Sequence, residues 1–179
     1  MEFSKLLEER RSVRDYAKET DISREDIEQM IYAAQQAPSW KNSQTGRYYA
    51  VISKDLLEEL RITCLPDFNR DRTVGAAAYV VTTFKGGFAG FTVDGRQTDS
   101  LGNGWGAYDL GLQNENFLLK ARELGYDTLI MGLRDESRLR EMLSIPDDEV
   151  MVAVIAVGKR ASNPVKPQRK SIEDIAKFF

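Results

Sequence analysis

Apolar residues recur along this chain in two periods, and the change from one to the other divides it into elements. Phe3, Leu6 and Leu7 follow helical spacing and predict a short first helix. Ser23 and Asp26 have capping-box spacing, and Ile22 can staple against Ile27. Ile27, Met30, Ile31 and Ala34 then form one stripe that ends before Pro38, predicting a second helix. Arg47-Tyr48-Tyr49-Ala50-Val51-Ile52 has strand character. Leu56, Leu57 and Leu60 mark a helix that fades before Pro66. Ala78 to Phe84 is apolar on both faces, as a central strand must be.

The stripe Leu110, Gly111, Asn114, Phe117, Leu118, Ala121 and Leu124 predicts the longest helix, from Ala107 to a stop at Gly125. With Ala107, Gly111 and Asn114 on the buried stripe, it reads as a central helix suited to close packing, and Asn114 as a bond between helices. Asp127 to Gly132 is a third strand. Asp135 caps a helix carrying Leu139, Met142 and Leu143, and Met151 to Val157 is a continuous apolar strand. Residues 158–179 form an extended arm with too few apolar residues to pack alone, so it must lie over its own body or a partner's. No repeat or linker divides residues 1–179, which predicts one mixed α/β domain of about four strands.

Composition narrows what this domain does. The chain has 179 residues, 42% hydrophobic and 30% charged, enough for a real core. A net charge of -3 argues against nucleic acid as a partner. No segment reaches membrane-span length and no signal-type apolar run opens the chain, so cytoplasmic residence is expected. There is no histidine and one cysteine, Cys64, expected to be a buried thiol. That combination excludes imidazole-dependent triads and an ordinary zinc site, so any chemistry belongs to a bound cofactor.

The candidate chemistry lies in Arg10-Arg11-Ser12-Val13-Arg14, which follows the first helix. Three guanidinium groups at this spacing repel one another unless an anion or acidic side chains lie between them. A solvated helix end is the plain alternative, because cations there complement the helix dipole. The arm carries a second basic group: Lys159, Arg160, Lys166, Arg169 and Lys170. Ala37-Pro38-Ser39-Trp40-Lys41-Asn42-Ser43-Gln44 is a polar loop around one large aromatic. Between Gly86 and Gly106 lie seven of the thirteen glycines, read as a mobile loop. Its Gly102-Asn103-Gly104-Trp105-Gly106 departs from the dinucleotide fingerprint in spacing and lacks a leading strand. Trp105 and Tyr108 border this loop and can either line a pocket or simply pack.

Four separated pieces, in order, resemble the FMN-dependent nitroreductase-like flavoproteins: Arg10 to Arg14, Ala37 to Gln44, Arg122-Glu123-Leu124-Gly125-Tyr126 with Leu129-Ile130-Met131-Gly132, and Ile145 to Glu149 with Arg169-Lys170. The resemblance implies a three-layer α/β/α fold of the α+β class around a mixed, mainly antiparallel sheet. It implies an intertwined homodimer with FMN in two interface sites. Arg10, Arg11 and Ser12 would bind the phosphate and ribityl chain, and Arg14 would lie near the flavin N1/O2 edge. Pro38, Ser39, Trp40 and Asn42 would come from the partner subunit's loop. Asn69 would bond the pyrimidine edge, with Arg72 nearby as a nicotinamide contact. Leu129, Ile130, Met131 and Gly132 would line the ring, and Arg169 with Lys170 would close on the phosphate.

The implied activity is NAD(P)H oxidation with reduction of nitroaromatics, quinones or related electrophiles by ping-pong hydride transfer, with no protein acid or base required. A flavin carrier or redox sensor without turnover is the reading from another class, and an enzyme acting on flavin itself or on halogenated aromatics is a third. Where the family places Pro-Trp after its loop glutamine, this chain has Thr45-Gly46-Arg47. The Gly86–Gly106 segment stands where family members carry a substrate-covering pair of helices.

Overall fold

A computed structural model describes residues 2–179. Four strands, β1 (Gly46–Val51), β2 (Ala78–Lys85), β3 (Asp127–Met131) and β4 (Glu149–Gly158), form one sheet in the order β1-β2-β4-β3. Every strand pairing is antiparallel, with Tyr79 opposite Ala156 and Ile130 opposite Ile155. The parallel component expected of a mixed sheet is confined to an isolated bridge between Ser12 and Thr128.

The two inner strands explain why they are apolar on both faces. Tyr79, Val81, Val154 and Ala156 point into one core with Leu60, Cys64 and Leu139. Ala78, Val80, Ile155 and Val157 point into another with Met30, Phe117 and Ala121. The first core lies under α3 (Lys54–Cys64) and α6 (Glu136–Leu143), the second under α2 (Arg24–Gln35) and α5 (Gly104–Glu123). The result is an α/β/α sandwich. α1 (Phe3–Glu9), α4 (Asp67–Arg72) and α7 (Ile172–Ile175) are short additions at its edges.

Local signals act as expected at most ends. Ser23 and Asp26 form a reciprocal capping box on α2, and Asp135 caps α6 by accepting from Arg138 N–H. Gly125 adopts φ +87 just past α5, a conformation open to glycine at little cost. Cys64 is buried, and burial pushes its thiol pKa up.

Four expectations are corrected. α5 starts at Gly104, so three residues of the glycine-rich segment are helical. Gly111 is exposed, and Asp109 and Gln113 take buried positions instead. Gly46 permits this second change, because a Cβ there would lie 2.1 Å from Gln113 Oε1. Asn114 donates to Thr82 Oγ1 (3.4 Å), a helix-to-sheet bond. β4 begins at Glu149, and that carboxylate is a buried acceptor for Tyr49 (2.8 Å) and Thr83.

Candidate functional site

The arginine stretch leaves α1 and runs beside the free edge of β3. Val13 N–H donates to Thr128 O (2.9 Å), and farther on Ala17 N–H donates to Lys159 O (2.8 Å). Val13 and Tyr16 drop into the core, so the intervening residues face outward. An ion network clamps the stretch from behind. Buried Asp127 accepts from Arg160 (Nε, 2.8 Å) and from Arg122 (3.4 Å). Arg122 reaches Glu9 (3.0 Å), whose main-chain oxygen accepts from Arg160 (3.2 Å). A buried carboxylate facing two guanidiniums is costly to disturb, because removal of any member strands the rest. Helical and strand periodicity gave no sign of this clamp, although Arg160 stands two residues after the end of the last strand.

Arg10 is held 3.5 Å from Glu115 on α5. Arg11 donates to Arg10 O (2.5 Å) and Arg14 to Ser12 O (3.2 Å). Among the described residues neither Arg11 nor Arg14 forms an ion pair, and both remain accessible with the Ser12 hydroxyl. Arg10 is thus offset by Glu115 and Arg11 only through the longer-range charge of Glu8, so both Arg11 and Arg14 keep guanidinium donors available to an anion.

Along β3 the apolar candidates divide. Leu129 and Met131 are buried in the core, which leaves their main chain to border a ligand. Ile130 is 46% exposed, and a Cβ on Gly132 would meet nothing within 4 Å. Beyond the strand, Asn69 on α4 donates to Leu133 O (3.3 Å). The five-residue step from Thr128 to Leu133 spans about 17 Å at strand rise. This edge thus carries cationic donors at one end and open apolar surface at the other, where the Asn69 amide lies buried against Leu133. Arg72 is exposed on α4, 5.6 Å over the Phe68 ring.

The other candidates are not on this edge. Pro38, Ser39, Trp40 and Asn42 belong to a loop fixed on the start of α5, where Trp40 N–H donates to Asp109 Oδ2 (2.8 Å). The Trp40 and Trp105 rings are 4.7 Å apart, and Trp105 meets Tyr108 edge-on at 5.8 Å. Asp109 and Glu115 are six residues apart, about 9 Å along α5 and about 120° around it. The loop and Arg10 therefore hold different faces of one helix. Arg169 and Lys170 lie exposed in the arm, which beyond Ala161 is tied to the body by Ser162 donating to Asp15 (2.9 Å) and by Lys166 pairing with Glu8.

The loop has an unusual polar inventory. Trp40 Nε1, Ser43 Oγ and Thr45 Oγ1 are buried without hydrogen-bond partners. Lys41, Asn42 and Gln44 have φ of 44, 56 and 49, the left-handed region that non-glycine residues rarely occupy. Strain and unmet polar groups concentrated in one short segment are marks of a binding surface.

Known proteins resemble this chain over most of its length. The profile described as the Nitroreductase family matches residues 7–159. An Archaeoglobus fulgidus protein named provisionally as an NADH dehydrogenase/NAD(P)H nitroreductase is 31% identical over 158 residues, 86% of this chain and 83% of the relative. A nitroreductase family protein from Streptococcus pneumoniae superposes with a TM-score of 0.83 at 19% identity, covering 99% of this chain and 100% of that one. A structure from Exiguobacterium sibiricum, described as a nitroreductase in complex with FMN, gives 0.78 at 23% identity, covering 100% and 98%.

Proposed function

The chain belongs to the nitroreductase family, and on that premise we propose that it is an FMN-dependent NAD(P)H oxidoreductase acting on nitroaromatic, quinone or related electrophilic acceptors. The observation that carries this reading is the β3 edge: unpaired cationic donors at Arg11 and Arg14 lead into open apolar surface at Ile130 and Gly132, with Asn69 beyond.

The residues present fit the group. Arg10, Arg11 and Ser12 would hold the phosphate, which needs several donors at once. Arg14 would place a cation near the N1/O2 edge of the ring, where negative charge develops on reduction. Asn69 would bond the pyrimidine edge. Leu129, Ile130, Met131 and Gly132 would lie against the ring, with Arg72 near the nicotinamide cofactor. Arg169 and Lys170 would close on the phosphate from the arm. The unsatisfied atoms at Trp40, Ser43 and Thr45 fit a loop whose partners come from outside its own chain. Pro38, Ser39, Trp40 and Asn42 would accordingly serve the site of a second copy, making the functional unit a homodimer. Bound FMN would supply hydride transfer from NAD(P)H to the acceptor in two successive half-reactions; the protein contributes binding, orientation and charge.

Purified protein is expected to be yellow, or to become so with added FMN, and to bleach with NADH or NADPH under anaerobic conditions. A protein that takes up no FMN would refute the proposal. Uptake of FMN without reduction by either nicotinamide would leave a carrier or sensor.

A further inference from the structure

The Trp40–Asn42 turn lacks the cap expected of its sequence. Ser39 occupies the N-cap position, yet its hydroxyl accepts from Gln44 N–H (3.1 Å). The first N–H of the turn goes instead to Asp109, 69 residues away on α5. Asp109 is 3% exposed, inside a helix, and forms no ion pair among the described residues. A carboxylate in that setting carries a desolvation cost. A site serving packing alone would be better filled by an apolar residue.

Its target is the strained segment. Three non-glycine residues of the loop have positive φ, and such conformations persist only where surrounding contacts over-determine them. Asp109 supplies the anchor at the start of that run. The Trp40–Trp105 ring contact supplies a second, and Arg47 donating to Gln44 O (3.0 Å) a third at its end.

We propose that Asp109 is a positioning residue that caps the Trp40–Asn42 turn from α5 and sets how the Pro38–Gln44 loop is presented to the flavin bound across a homodimer interface. This rests on the function proposed above, but the anchoring itself can be tested without flavin. An acceptor oxygen at position 109 is what the role requires, so Asp109→Asn retains it and Asp109→Ala removes it.

The test is limited trypsin digestion of the full chain, following cleavage after exposed Lys41 against cleavage after Lys120 within α5 as an internal control. Loss of one charge-assisted bond raises loop opening by about tenfold or more. Asp109→Ala is expected to accelerate cleavage after Lys41 by that factor and leave Lys120 unchanged, with Asp109→Asn within about threefold of wild type. The visible circular dichroism of bound FMN should change in Asp109→Ala and return in Asp109→Asn. Wild-type cleavage at Lys41 in Asp109→Ala, or equal acceleration in both variants, overturns the proposal. So does a Trp40 amide that exchanges with solvent deuterium at the unprotected rate in wild type, which decides the matter even if Asp109→Ala fails to fold. Failure of wild type to bind FMN refutes the functional reading while the digestion still tests the anchor.

Discussion

Gly46 has no side chain because α5 leaves no room for one. Its added Cβ would lie 2.1 Å from Gln113 Oε1 and 3.3 Å from a Leu110 methyl. Gln113 also accepts from Tyr48 OH (3.3 Å), so moving it aside breaks that bond. Gly46→Ala is expected to destabilise the protein by about 1–3 kcal/mol, the usual cost of overpacking, read from urea unfolding. Asp109 gives a prediction with a definite sign in pH. Burial raises its folded pKa above 3.8, and the Trp40 N–H offsets that only in part. A raised folded pKa means that this group's favourable contribution is full below the unfolded value and is lost as pH rises through the folded one. Stability relative to Asp109→Asn should therefore fall as pH rises from below 3.8 through that folded pKa, and a flat difference across this range would contradict a buried, ionising carboxylate.

At the scale of elements, the Arg10–Arg14 stretch divides its work between binding and tuning. Arg10→Ala removes a phosphate donor and a half-exposed pair with Glu115 that contributes about 1 kcal/mol or less, so FMN affinity should fall about 10- to 100-fold while stability changes little. Arg14→Ala should slow flavin reduction more than it weakens FMN retention. Titration with FMN and anaerobic stopped-flow separate the two, and equal effects of both variants on both readouts would count against the division.

The stretch also shows what a sequence can convey. Its residues could be named at once, as could the Ser23–Asp26 box and the two-sided apolarity of β2, because each is a local pattern. The clamp of Glu9, Arg122, Asp127 and Arg160 could not, since its four members come from four places that only the sheet order brings together. Asp109 was hidden for another reason. Helical periodicity assigns a stripe by apolarity, and it counted Gly111 as buried while overlooking a carboxylate two residues earlier. The rest of the stripe, from Leu110 to Ala121, is buried as expected; the buried face is widened at Asp109 and Gln113, and Gly46 on β1 leaves the room that Gln113 fills.

For the whole molecule, the arm is the part that one chain leaves without a purpose. Val165, Ile172, Ile175 and Phe178 are 60% exposed or more, and the Ser171–Asp174 capping box orders a four-residue helix that touches no core. Burying such side chains yields about 1.5–3 kcal/mol each, which a second copy could supply. That copy would also receive the strained loop and approach the exposed Tyr108 and Gly111 of α5. Removal of residues 162–179 should spare the fold, because Ala161 N–H still donates to Asp15 O (2.9 Å) and both cores lie upstream. Sedimentation should give twice 20.3 kDa for the full chain, and a weakened dimer with reduced FMN affinity for the shortened one. A shortened chain that dimerises and binds FMN as tightly as the full one would show that Arg169 and Lys170 do not reach the phosphate and that the arm serves neither assembly nor site.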